Sequence, residues 1–143
     1  MTKPNPANPT LSISRPDLAS ALEQIGAEIE HQPLRSSALA RIMRETFHGS
    51  DAGGAWDWRM AYDMMQAAAI QVLLRGDGAE GDIAAAKLLA SRLLTETRRS
   101  EQQIRLQQFS TPLAFATTAV RAAAIRKGET VLEPSAGTGA LAA

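Results

Sequence analysis

Only one short segment of the chain, Thr130-Val131-Leu132-Glu133, reads as a β-strand, while apolar residues elsewhere return at helical spacing. A lone strand cannot satisfy its own backbone N–H and C=O groups. A parallel sheet needs several strands covered on both faces. The fold this predicts is mainly α, with about five helices and one short orphan strand that is poorly paired or absent. Composition agrees: 45% of the residues are hydrophobic, many of them alanine, and only 4% are aromatic. That balance favours closely packed helices over a β-sandwich. A chain of this length has room for one compact domain and buries roughly two-thirds of its unfolded surface.

Residues 1–13 read as a disordered tail, with Pro4, Pro6 and Pro9 among polar neighbours. Ser14 then offers a helix cap, Pro16 tolerates the first turn and Asp17 suits the positive end of the dipole. Leu18, Leu22, Ile25 and Ile29 form one stripe of this first helix, and Pro33 ends it. A second helix is predicted over 37–47, burying Leu39, Ile42, Met43 and Phe47, with a loop over 48–54. A third runs from about Asp57 to Leu74, with Trp58, Tyr62, Met65, Ala69 and Val72 or Leu73 on one side. Arg75-Gly76-Asp77-Gly78 breaks it. A fourth, longer helix is expected from Gly81 to Gln107, its partly buried face marked by Leu88, Leu89, Arg92, Leu93 and Ile104. In the fifth, Thr111 is the expected cap and Pro112 opens the first turn. Ala116, Val120, Ala123 and Ala124 lead to about Arg126, and Lys127-Gly128 supplies the stop.

Pro134 to Gly139 is a glycine-bearing turn at the carboxyl end of the strand-like segment, where open α/β sheets bind their ligands. Gly137 and Gly139 lack a Cβ, so the backbone can turn sharply and approach a ligand. Glu133 places a carboxylate where an ammonium group would be attracted. Glu133-Pro134-Ser135-Ala136-Gly137-Thr138-Gly139 resembles the first cofactor motif of the N6-adenine DNA methyltransferases. Gln108-Phe109-Ser110-Thr111-Pro112, one helix earlier, resembles the motif that touches the methionine end of the cofactor in those enzymes. Residues 40 to 143 resemble the start of the bacterial strawberry-notch-like proteins, which join a methylase-like to a helicase-like region. Gly53-Gly54-Ala55-Trp56-Asp57-Trp58 and Thr97-Arg98-Arg99-Ser100-Glu101 carry part of that resemblance.

The resemblance implies S-adenosylmethionine as cofactor, held by Thr111, Pro112, Glu133, Pro134, Ser135, Ala136, Gly137 and Gly139. It implies transfer of the methyl group to the exocyclic nitrogen of adenine in DNA. Residues 14–107 would form a helical region, and 108–143 the truncated start of an α/β Rossmann-like methyltransferase domain. The Asn/Asp-Pro-Pro-aromatic motif that holds the extruded adenine in the family does not occur in the chain. No catalytic residue is therefore assigned, and the chain alone is expected not to transfer a methyl group. Gly137-Thr138-Gly139-Ala140-Leu141-Ala142 also fits the Gly-x-Gly-x-x-Ala dinucleotide fingerprint, although there an apolar strand leads directly into the first glycine. A helical interaction module without catalysis is the second functional reading.

Charge is uneven although it sums to zero. Residues 83–127 hold eight basic side chains against Glu96 and Glu101, whereas the first 82 residues are net acidic. Arg92, Arg98, Arg99, Arg105, Arg121, Arg126 and Lys127 either follow a nucleic-acid backbone or line a solvated helix face. Trp56 and Trp58 read better as anchors of the third helix than as a base-stacking platform. Met60, Met64 and Met65 fit core packing. His31 and His48 stand alone, without the further ligands a metal site needs. Ser110, Ser135 and Thr138 have no patterned base to make them nucleophiles. There is no cysteine, no signal peptide and no membrane-length apolar run, so a cytoplasmic location is expected.

Overall fold

The computed structural model describes residues 14–76, 83–98, 104–105, 110–126, 128–134 and 137–141. The tail expected over 1–13 lies outside these residues, as do Asp77, Gly78, Gly81, Gln107 and Lys127. Among the described residues five helices are given with both ends: α1 Arg15–His31, α2 Ser36–Thr46, α3 Trp58–Arg75, α4 Ile83–Arg92 and α5 Leu113–Ala123; residues 104–105 are helical as well. No strand occurs among the described residues. Residues 130–133 are irregular, as the want of a partner strand requires.

Helix α1 begins where a reciprocal cap can form. The Ser14 hydroxyl accepts from the Asp17 N–H, and the Ser14 N–H donates to the Asp17 carboxylate, both at 3.3 Å. At its other end Gln32, the residue before Pro33, takes φ −153°, ψ 162° and leaves the helix. The proline ring disfavours helical angles there. Ile25 and Ile29 are fully buried and Leu18 and Leu22 partly so, which gives the expected stripe. This face lies along α3, and Gly26 makes the approach close: a Cβ on it would stand 3.3 Å from Val72 Cγ2. Helix α2 packs on α1, burying Leu39, Ile42 and Met43.

Between α2 and α3 the chain is tied down by its own hydrogen bonds. Trp56 Nε1 donates to Gly49 O at 3.0 Å, and the Ala55 N–H to Ser50 O at 3.1 Å. Asp57 caps α3, its carboxylate accepting from the Met60 N–H at 2.7 Å. The helix then buries Ala61, Tyr62, Met64, Met65, Ala68, Ala69 and Ile70, a wider apolar face than the single side expected, because α1, α2, α4 and α5 all touch it.

The fourth helix departs most from expectation, since it ends at Arg92 rather than running to Gln107. Tertiary hydrogen bonds outweigh helix propensity here. The Arg92 carbonyl accepts from the Leu34 N–H at 2.9 Å. The Leu94 N–H donates to Met65 Sδ at 3.3 Å. Leaving the helix lets Leu93 and Leu94 both pack against the core. Within α4 itself Leu89 is buried, but Leu88 is 53% exposed, as is Ile104 beyond it at 57%, so the expected stripe is not one face. Helix α5 packs on α4 and α3 through Leu113, Ala116 and Thr117. It stops at Ala124, in the left-handed region at φ 49°, before Gly128 is reached. No helix among the described residues is long and apolar enough to cross a membrane.

Candidate functional site

The expected cofactor residues fall in two places, the entry to α5 and the turn after residue 132. At the entry the cap is Pro112, whose carbonyl accepts from the N–H groups of Phe115 at 2.9 Å and Ala116 at 3.0 Å. Thr111 is therefore exposed one position before the cap and does not fill it. Proline suits the position because the helix makes no demand on the cap residue's own N–H. In the turn, Gly137 and Gly139 take φ 52° and 86°, the left-handed region that a Cβ makes costly. No atom lies within 4 Å of where a Cβ on Gly139 would be, so backbone angle and not crowding requires glycine there. Glu133 is half-buried and Pro134 exposed, while Ala140 packs against the core and anchors the end of the turn. Ser135 and Ala136 lie outside the described residues.

An open groove of about 320 Å³ lies where α3, the end of α4, residues 93–96 and the α5 entry meet. Leu93, Leu94 and Leu113 give it apolar walls, and Gln66, Thr95, Glu96 and Ser110 bring polar groups. Among the described residues expected to hold a cofactor, Pro112 lines this groove, and Thr111, Glu133, Pro134, Gly137 and Gly139 do not. Gln66 and Glu96 carry no motif; both line this groove, whose wall at residues 93–96 exists because α4 ends early.

Two of the stretches that carry the family resemblance come together in space. The Arg98 guanidinium lies 4.2 Å from the centre of the Trp58 ring and pairs with Asp51 at 4.0 Å. Asp51 also accepts from Trp58 Nε1 at 3.0 Å. Trp56 stands edge-on to Trp58 with centroids 5.6 Å apart and is only 3% exposed, so it anchors the core and offers no stacking face. Of the basic residues, Arg92 is turned inward, its guanidinium donating to the carbonyls of Ile29 at 3.0 Å and of Glu30. Its guanidinium is thus engaged with the end of α1. Arg105, Arg121 and Arg126 are exposed, and Arg99 and Lys127 lie outside the described residues. His31 and His48 are both exposed, and no group of three or more His, Asp or Glu among the described residues is placed to hold a metal ion.

One carboxyl group departs from its ordinary behaviour. Partial burial pushes Asp63 upward; the Arg59 cation acts against this, and the charges of Glu96 and Asp57 add to it. The folded state therefore holds this proton more tightly than the unfolded chain does. Asp63 favours folding while protonated, and that advantage is lost as pH rises through its folded value. Asp63→Asn imitates the protonated group, and the Arg59 pair it gives up is exposed and 3.9 Å long, hence worth little. The melting temperature of Asp63→Asn relative to wild type is expected to rise as pH climbs from the ordinary carboxylate range through the folded value of Asp63, and to level off above it. A difference that stays flat or reverses would show that Asp63 feels no such environment.

No protein-family model matches the chain, and neither the curated proteins nor the solved structures contain a significant match.

Proposed function

We propose that the chain is the amino-terminal part of an S-adenosylmethionine-dependent, DNA adenine methyltransferase-like protein of the bacterial strawberry-notch-like kind. In this reading a helical region leads into the opening of an α/β Rossmann-like domain. The observation that carries it is the surface around the glycine turn. Val131 and Leu132 are 52% and 88% exposed directly before a turn with two glycines at positive φ, and Phe115 on α5 is 72% exposed. Aliphatic residues bare on a strand-like segment suit a position inside a sheet.

The residues of the turn fit the methionine end of the cofactor. Space is open beside Gly139, and Glu133 comes directly before the turn in the chain, the position from which a carboxylate would draw an ammonium group. Bound S-adenosylmethionine supplies an electrophilic methyl group on sulfur. The chain's own part is to orient it through Glu133 and the backbone at Gly137 and Gly139, with Thr111 and Pro112 at the α5 entry. DNA is the proposed macromolecular substrate, met in part by the exposed Arg105, Arg121 and Arg126. The second reading, a helical interaction module, is favoured by a core that, among the described residues, closes on helices and the loops between them without a strand.

Calorimetric titration of the chain with S-adenosylmethionine decides between them. Saturable binding is expected, weakened at least about tenfold by Gly137→Val, because a β-branched residue cannot hold φ 52° without strain. No heat up to millimolar cofactor, or equal binding by the variant, would leave the helical module as the reading.

A further inference from the structure

We infer that the groove beside Glu96 is a binding site for a small organic cation, a primary ammonium on a short apolar body. The groove is open to solvent and measures about 320 Å³, at the lower end of the volume range for small-molecule sites. Its walls are aliphatic, from Leu93, Leu94 and Leu113, and among the described residues that line it Glu96 is the one charged side chain. That carboxylate is half-buried and takes no part in any ion pair among the described residues. Arg98, two residues further along the chain, is engaged with Asp51 at 4.0 Å and the Trp58 ring, and Arg59 with Asp63 at 3.9 Å. A carboxylate against apolar walls without a counter-charge is the group most improved by an incoming cation. Its charge is also felt by Asp63, whose carboxyl it helps to push upward.

The polar groups match one ammonium and not a second carboxylate or a phosphate. Glu96 supplies the charge, while the Gln66 amide oxygen and the Ser110 hydroxyl are available as acceptors on the same walls. Leu93, Leu94 and Leu113 then face the carbon chain. The geometry that makes this site comes from the early end of α4 and the bond from the Leu94 N–H to Met65 Sδ, and none of it depends on the glycine turn.

Butylammonium chloride is the probe, titrated into the full chain while the leucine methyl groups are followed by NMR. Saturable shifts centred on Leu93, Leu94 and Leu113 are expected, in the millimolar range. Glu96→Gln should weaken them about tenfold while leaving the helical circular dichroism unchanged, and butan-1-ol should give no saturable shift at all. Shifts spread over the acidic surface of α1, equal titration of Glu96→Gln, or equal titration by the alcohol would each overturn the proposal. So would an absence of saturation.

Discussion

Met65→Ala is expected to lower the stability of the chain by roughly 2–5 kcal/mol in urea denaturation, the usual cost of emptying a fully buried site. Met65 is 0% exposed and sits among α1, α3 and the chain leaving α4. Its sulfur is also the acceptor for the Leu94 N–H at 3.3 Å, so truncation leaves a partly buried donor without its partner. A domain of this kind is stable by only about 5–15 kcal/mol, and the loss is therefore a large fraction of the whole. Met65→Leu separates the two effects. It nearly conserves volume and should cost less than about 1.5 kcal/mol, but it removes the acceptor. Amide exchange at Leu94 should speed up in Met65→Leu while the rest of α3 stays protected. An alanine variant within about 1 kcal/mol of wild type would mean that the site collapses and is not a rigid junction. Unchanged exchange at Leu94 in the leucine variant would mean that the sulfur does not hold residues 93–98 in place.

That junction also explains what the sequence could and could not tell. The first three helices were readable because local signals fixed both ends. Ser14 with Asp17 and Pro33 bound α1, and α2 and α3 begin within a residue of where their apolar periods place them. A sharp turn at Gly137-Thr138-Gly139 was readable as well, since both glycines lack a Cβ, and both take positive φ. The end of α4 was not. Residues 93–107 are good helix formers by composition, and only Leu34, Met65 and the end of α1, all remote in sequence, divert the chain at Arg92. Once that end is misplaced the groove beside Glu96 cannot be foreseen, because its walls come from three elements that no local pattern relates. The aromatic pair shows the same limit: Trp56 and Trp58 look equivalent in sequence, yet one is 3% exposed and the other carries Arg98 on its face.

Arg92 gives the second large effect, and it separates a structural arginine from one able to meet DNA. Its guanidinium donates to the carbonyls of Ile29 and Glu30 at the C-terminal end of α1, where the helix leaves acceptors without intrahelical partners and carries partial negative charge. Arg92→Ala is expected to cost roughly 1–3 kcal/mol, the range for hydrogen bonds to a charged donor. The Leu34 N–H bond to the Arg92 carbonyl survives the change, so the loss reports the side chain alone. Arg105 and Arg126 stand exposed, and their alanine variants should stay within about 0.5 kcal/mol of wild type. Binding of duplex DNA, followed by fluorescence anisotropy at several salt concentrations, should reverse the order. Loss of either exposed arginine should lower the salt slope by about one, whereas Arg92→Ala should leave it unchanged under conditions where the variant remains folded. A stable Arg92→Ala variant with a reduced slope would put that guanidinium on the nucleic acid and not on α1. Slopes unaffected by Arg105→Ala and Arg126→Ala would remove the basic segment from the DNA interface, because a phosphate contact cannot be lost without returning a counterion.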